Sequence, residues 1–175
     1  MKVDGMSFRA LADGILGAAT LTPEEARAVT QLAYLASGVD LKEDLEESEV
    51  RDQLGRHVCA LGGIDFASVS WPEPLPDPNA REERAWWLEQ FSRELRWQPV
   101  RELAYVVAYL VAVGDADLRR PESALLGELQ RWLTIDDERA SELVEYASER
   151  VTPLAAGEGD WPIGPNEPTP RRDGP

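Results

Sequence analysis

The feature that most constrains the fold is an internal repeat, visible when the chain is aligned with itself at a displacement of 75 residues. The identities, found without a gap, are Ala33-Tyr34-Leu35 with Ala108-Tyr109-Leu110, Asp40 with Asp115, Glu47-Ser48 with Glu122-Ser123, Leu54 with Leu129 and Arg56 with Arg131. Polar identities at one constant displacement favour a duplicated structural unit over chance similarity between apolar helices.

Each copy predicts a helix, an acidic loop and a second helix. Thr22-Pro23-Glu24-Glu25 is typical of a helix start, with a capping threonine, a proline at the first position and a capping-box glutamate. We expect a helix from Leu45 to Leu61 closed by Gly62-Gly63, and a central, most apolar helix from Val100 to Val113. Further helices, over Met6–Ala18 and after Asn79, Pro121 and Thr134 or Asp136, make an all-α bundle of about seven helices.

Proline and glycine divide the chain. Four prolines between Trp71 and Pro78 exclude helix and inner strand, so residues 64–79 are predicted to form an extended connector. It separates repeat units at about 22–62 and 99–149 within a domain spanning 1–151. Residues 152–175 are rich in proline and glycine and predict a disordered tail.

The charge balance restricts the partners. The 33 acidic residues against 18 basic ones give a net charge of -15, which repels phosphate backbones and excludes nucleic acid. Such a field favours cations or basic, including membrane-associated, protein surfaces. The longest apolar stretch, Leu103–Val113, is too short to span a bilayer, so an integral membrane protein is not expected. One cysteine and no evident signal peptide predict a cytoplasmic protein.

The acidic residues that recur in both copies of the repeat are the candidate site. Each copy places an aspartate after the end of one helix and a glutamate in the first turn of the next. One interpretation is a turn aspartate that bonds local amides. The other is a divalent-cation site of carboxylate and carbonyl oxygens, whose candidate ligands are Asp40, Glu47, Asp115, Asp117 and Glu122. An EF-hand is excluded because Arg51 and Leu126 stand where it requires a glutamate.

No catalytic residue is predicted. His57 and Cys59 are two positions apart on a helix, so their side chains point in different directions and do not form a nucleophilic pair. No phosphate loop, Ser-His-Asp set or zinc-ligand spacing is present. The adjacent Trp86 and Trp87 cannot both be buried against the same neighbour. One is expected in the core, and the other covers the connector or forms an interaction surface, although a core role alone is favoured for the pair.

These motifs resemble the TerB-like family, the helical domain named from bacterial tellurite-resistance operons and also found in membrane-anchored DnaJ-type co-chaperones. The resemblance rests on the apolar helix Leu103–Leu110 ahead of Asp115 and on Pro121-Glu122-Ser123-Ala124-Leu125-Leu126 after it, with Asp40 and Glu47 similar in the first copy. It covers about Leu21 to Val151. The family's glycine after the aspartate is replaced by Leu41 and Ala116, and Arg119 and Arg120 dilute the second acidic loop, where Asp117 compensates.

The resemblance implies two pseudo-symmetric units and a non-enzymatic accessory role in a stress or membrane-associated response. We therefore predict an acidic protein-interaction or sensing module. The alternative is a divalent-cation-binding module that uses the repeated Asp and Glu pairs, and a metal-dependent hydrolase is a distant third. No cofactor other than a divalent cation is expected.

Overall fold

The computed structural model describes residues 4–37, 45–71, 81–114 and 120–151, and within α3, α4 and α6 it leaves out the side chains of residues 45–48, 81 and 120–122. The described residues form seven α-helices and no strand, which confirms the all-α prediction. The helices are α1 Gly5–Leu16, α2 Pro23–Ser37, α3 Leu45–Leu61, α4 Arg81–Glu94, α5 Gln98–Ala112, α6 Arg120–Trp132 and α7 Asp137–Arg150.

Local sequence signals set the helix ends. The Thr22 hydroxyl accepts a bond from the Glu25 amide at 3.2 Å, and the Glu25 carboxylate accepts one from the Thr22 amide at 3.0 Å, so the predicted capping box forms. Asp136 caps α7 by accepting a bond from the Arg139 amide at 2.8 Å. At the end of α3, Gly63 adopts a φ of 69°, which favours glycine.

The repeat is visible in the helix boundaries. Helix α5 begins and ends 75 residues after α2, and α6 begins 75 residues after α3. Equivalent apolar positions are buried in both copies: Val50 and Leu125, Leu54 and Leu129, Val58 and Leu133. Repeated sequence therefore gives repeated local structure with the same inward face.

The packing is reciprocal between the two halves. Helices α2 and α5 lie against each other at the centre, α1 packs on α5 as α4 packs on α2, and α1 contacts α3 as α4 contacts α6. Helix α5 is the most buried, and it also contacts α3, α6 and α7. Helix α7 lies outside this pairing, so one face of α5 has a neighbour that α2 lacks.

The segment after α3 differs from the expectation in one detail. Residues 64–71 run mostly without regular structure, as predicted, but Phe66–Ser68 form a 3₁₀ turn capped by Asp65. The prolines that exclude helix begin only at Pro72, outside the described residues. In the described part of the chain, no helix is long and apolar enough to cross a membrane.

Candidate functional site

The carboxylates of the predicted cation site lie mostly outside the described residues. Asp40, Asp115 and Asp117 fall in the two undescribed loops. Glu47 and Glu122 are the third residues of α3 and α6, as predicted for the first turn, but their side chains are outside the described part of the structure. The cation site therefore stays a prediction.

The described flanks of the two acidic loops meet. Gly114, which directly precedes Asp115, is buried, and a Cβ added to it would lie 3.4 Å from the Cβ of Val50. Val50 is three residues after Glu47 on α3. The chain just after α5 and the second turn of α3 therefore lie next to each other.

Arg51 brings a positive charge to this end of the bundle. Its guanidinium lies over the Tyr34 ring at 4.8 Å, and it pairs with Asp52 at 3.0 Å. Its Nη1 also donates to the Ser37 hydroxyl at 3.4 Å, at the last residue of α2. The end of α2 therefore lies beside a guanidinium that is held by three contacts.

His57 and Cys59 pack separately. The His57 ring stacks on Phe8 of α1 with a centroid distance of 5.5 Å, whereas the Cys59 sulfur lies 3.4 Å from the Thr30 hydroxyl of α2. Burial raises the pKa of the Cys59 thiol, which disfavours the nucleophilic thiolate. The prediction that they do not form a nucleophilic pair is confirmed. Among the described residues, no group of three or more His, Cys, Asp or Glu residues could hold a metal ion.

Of the two adjacent tryptophans, one packs in the core and the other is exposed, so the favoured interpretation of both as core residues is wrong. Trp87 packs against the core, and its ring centroid lies 5.4 Å from that of Phe91, while Trp86 is 51% exposed. Two further tryptophans are exposed: Trp97, which directly precedes α5, at 67%, and Trp132, the last residue of α6, at 39%. Arg101 ties their two loops together by donating to the Leu95 carbonyl and the Thr134 hydroxyl, at 2.8 and 2.9 Å.

Helix α7 carries an acidic face that the sequence patterns did not single out. It consists of five exposed carboxylates: Asp137, Glu138, Glu142, Glu145 and Glu149. Arg139 is held by Glu102 of α5 at 2.7 Å and by Glu142 at 2.9 Å, and these bonds raise the pKa of its guanidinium. The other arginine of α7, Arg150, lies over the Tyr146 ring at 3.6 Å.

An open groove of about 490 Å³ lies between α5, α6 and α7. Its lining includes Tyr105, Gln130, Asp137, Ser141, Val144 and Glu145. Sequence reasoning missed it, because Tyr105 sits in the most apolar helix and looks like an ordinary core residue. The available signal was the repeat itself, which aligns Tyr105 with Thr30, a second hydroxyl at the same helix position.

Comparison with family models, curated proteins and solved structures finds no match for this chain. The TerB-like resemblance therefore rests on its sequence motifs alone. The fold class and the helix packing are established by the structure, and any function has to be inferred from the residues that it describes.

Proposed function

We propose that this chain is a non-enzymatic, TerB-like accessory domain of a stress response that acts in the cytoplasm as an acidic protein-interaction module. The observation that carries the proposal is the α7 acidic face, on which five carboxylates are exposed. The two arginines of that helix are already engaged, Arg139 by Glu102 and Glu142, and Arg150 by Glu149 and the Tyr146 ring. A basic partner surface is the complement of this face.

Two further observations support a protein partner. The net charge of -15 extends the attraction beyond α7, which speeds association with basic proteins and repels nucleic acids. The exposed rings of Trp86, Trp97 and Trp132 offer the large, rigid contact area that is enriched in interface hot spots. Binding of a divalent cation by oxygen ligands does not require exposed indole rings.

The proposal is tested by calorimetric titration with a blocked peptide in which arginine and lysine alternate with glycine and serine. A matched peptide with citrulline and glutamine in place of the basic residues keeps the length and removes the charge. We expect binding of the basic peptide only, with an affinity that falls as salt rises because the contact is exposed.

Two double variants with equal net charge locate the contact. Glu138→Gln with Glu149→Gln removes two carboxylates from α7, and Glu24→Gln with Glu82→Gln removes two exposed ones from α2 and α4. The α7 pair should weaken binding more than the control pair does. Absence of binding by the wild type, or equal weakening by both pairs, would contradict the proposal.

A divalent-cation module is the second candidate, favoured by the proximity of Gly114, which directly precedes Asp115, to Val50, which follows Glu47 by three residues. Titration with calcium, magnesium, manganese and zinc should then give heat that vanishes in Asp40→Asn or Asp115→Asn and persists in Asp13→Asn, an exposed acid on α1. No heat with any ion, together with an unaltered melting temperature, rejects this candidate.

A further inference from the structure

Polar contacts between α5 and α7 leave one hydroxyl without a partner among the described residues. Glu102 of α5 accepts a bond from Arg139 of α7 at 2.7 Å, and two helical turns on, the Tyr109 hydroxyl lies 3.4 Å from the Ser148 hydroxyl. Tyr105 lies between these two contacts on the same side of α5, yet it makes no hydrogen bond with any described residue.

The Tyr105 hydroxyl opens into the groove. The residue is only 6% exposed, and it lines the groove between α5 and α7. No fully buried side-chain nitrogen or oxygen of the described residues lacks a partner, so the Tyr105 oxygen has to reach the groove itself. Burial raises the pKa of this phenol, which therefore stays neutral at physiological pH. The hydroxyl at the groove is therefore available as an acceptor or donor for a hydrogen-bonding ligand.

The walls of the groove carry negative charge. Asp137 and Glu145 line it, and Gln130 orients Asp137 by donating to its carboxylate at 2.7 Å. Ala140 and Val144 add an apolar lining that suits methylene groups. The nearest cation on α7, Arg139, is bound to Glu102 and Glu142. The groove therefore complements a long side chain that ends in a positive charge.

The corresponding place in the first half of the molecule is filled by a side chain. At the 75-residue displacement, Tyr105, Gln130 and Ser141 correspond to Thr30, Gly55 and Phe66. The Phe66 ring occupies the space beside Gly55, where an added Cβ would lie 2.6 Å from the ring and 3.2 Å from the Thr30 methyl. Position 130 carries a glutamine side chain where Gly55 has none, and Ser141 has no ring, so the second half has a groove lined by Tyr105, Gln130 and Ser141 instead of a packed ring.

We propose that the groove between α5 and α7 receives an arginine side chain from a basic segment of a partner protein, whose guanidinium donates to the Tyr105 hydroxyl and faces Asp137 and Glu145. Arginine fits better than lysine because its planar group of five donors can serve the hydroxyl and a carboxylate together. This inference rests on the proposed function and names the chemistry of its partner.

Two variants that leave the net charge unchanged test it in the full chain. Tyr105→Phe removes only the hydroxyl, and Ser141→Phe fills the groove with a ring. The probe is a blocked peptide with three arginines separated by glycine and serine, and its control carries citrulline at the same positions. We expect Tyr105→Phe to weaken binding about three- to tenfold, as loss of one hydrogen bond implies, and Ser141→Phe to weaken it at least as much.

Tyr109→Phe is the matched control, because it removes the neighbouring hydroxyl, which already has Ser148 as a partner. It should leave the dissociation constant unchanged. If the wild type binds the arginine peptide and both groove variants bind it equally well, the groove assignment is wrong while the proposed function stands. If the wild type binds neither peptide at low salt, both fail. Circular dichroism spectra and melting temperatures separate these outcomes from misfolding.

Discussion

The two halves of this molecule share one helical frame but close the same helix face in different ways. In the first half, the face of α2 that carries Thr30 and Tyr34 is covered by the segment after α3, whose Trp71 ring lies 4.6 Å from Tyr34. Gln31 of that helix donates to the Ser70 carbonyl at 2.9 Å. In the second half, the equivalent face of α5 is covered by α7.

The two covering elements give the equivalent hydroxyls of Thr30 and Tyr105 different surroundings. The covering segment of the first half supplies the Phe66 ring beside Thr30, whose hydroxyl donates to the Ala26 carbonyl at 2.8 Å. Helix α7 presents Ser141 instead and leaves Tyr105 unbonded among the described residues. The two halves therefore share their helix positions and differ in the element that covers this helix face.

The largest expected effect tests whether the two halves fold as one unit. Leu54 and Leu129 are equivalent, are 0% and 1% exposed, and belong to one continuous core. Replacing either by alanine should lower the free energy of unfolding by about 2–5 kcal/mol, because each leaves a cavity. Urea denaturation followed by circular dichroism should give a single transition for both variants. A second transition, or unfolding of one half alone, would show that the two halves do not fold as one unit.

Emptying the filled position in the first half should have the next largest effect. In Phe66→Ala the ring that packs beside Gly55, with Arg56 above it at 5.0 Å, is lost. Because Phe66 is only half-buried, we expect a loss of about 2 kcal/mol, below the range for fully buried rings. Ser141→Ala at the equivalent position should change the free energy of unfolding by less than about 0.5 kcal/mol. Equal losses in urea denaturation would mean that the two positions are not packed differently.

A salt bridge distinguishes the halves by a smaller amount. Arg84 of α4 holds Glu128 of α6 with two bonds, at 2.9 and 3.0 Å, with both side chains largely buried. The equivalent Arg9 of α1 pairs instead with the exposed Asp13. Glu128→Gln should cost about 1–2 kcal/mol, because it leaves a shielded guanidinium without its carboxylate. Thermal unfolding checks this value, with Asp13→Asn as the control that should be close to neutral; a neutral Glu128→Gln would contradict it.

The smallest effect compares the two equivalent hydroxyls directly. Thr30→Val removes a buried, hydrogen-bonded hydroxyl and should cost about 1 kcal/mol. Tyr105→Phe removes one without a partner among the described residues, so the free energy of unfolding should stay within about 0.5 kcal/mol of the wild type. Chemical denaturation measures both. If Tyr105→Phe is the more damaging, its hydroxyl has a role in folding rather than in binding.

Much of the fold could be predicted because its signals are local. The Thr22–Glu25 capping box, the glycines after α3 and the apolar run of α5 each act within one or two helical turns, and the structure confirms all three. The repeat then extends the prediction from one half to the other, since equal sequence patterns bury equal positions.

The groove could not be predicted in the same way, because it depends on what covers α5. The sequence places Tyr105 and Thr30 at the same register, but only the packing reveals that the Phe66 ring lies beside Gly55 in one half while Tyr105 lines a groove in the other. The exposure of Trp86 beside the packed Trp87 could not be predicted either, since it also depends on neighbouring helices. The predicted cation ligands lie outside the described residues or have undescribed side chains and stay a prediction.

If the two halves are alike in frame and only the second offers a site, a bound peptide should perturb one half alone. The most direct test maps the arginine peptide onto the ¹⁵N-labelled full chain through chemical-shift changes, with the citrulline peptide as the blank. In the wild type we expect chemical-shift changes at Tyr105, Gln130 and Ser141 and none at the equivalent Thr30, Gly55 and Phe66. In Ser141→Phe, the arginine peptide should cause no changes near the groove beyond those that the citrulline peptide produces. Changes of similar size at both sets of positions, or changes that avoid α5 and α7, would contradict a site confined to the second half.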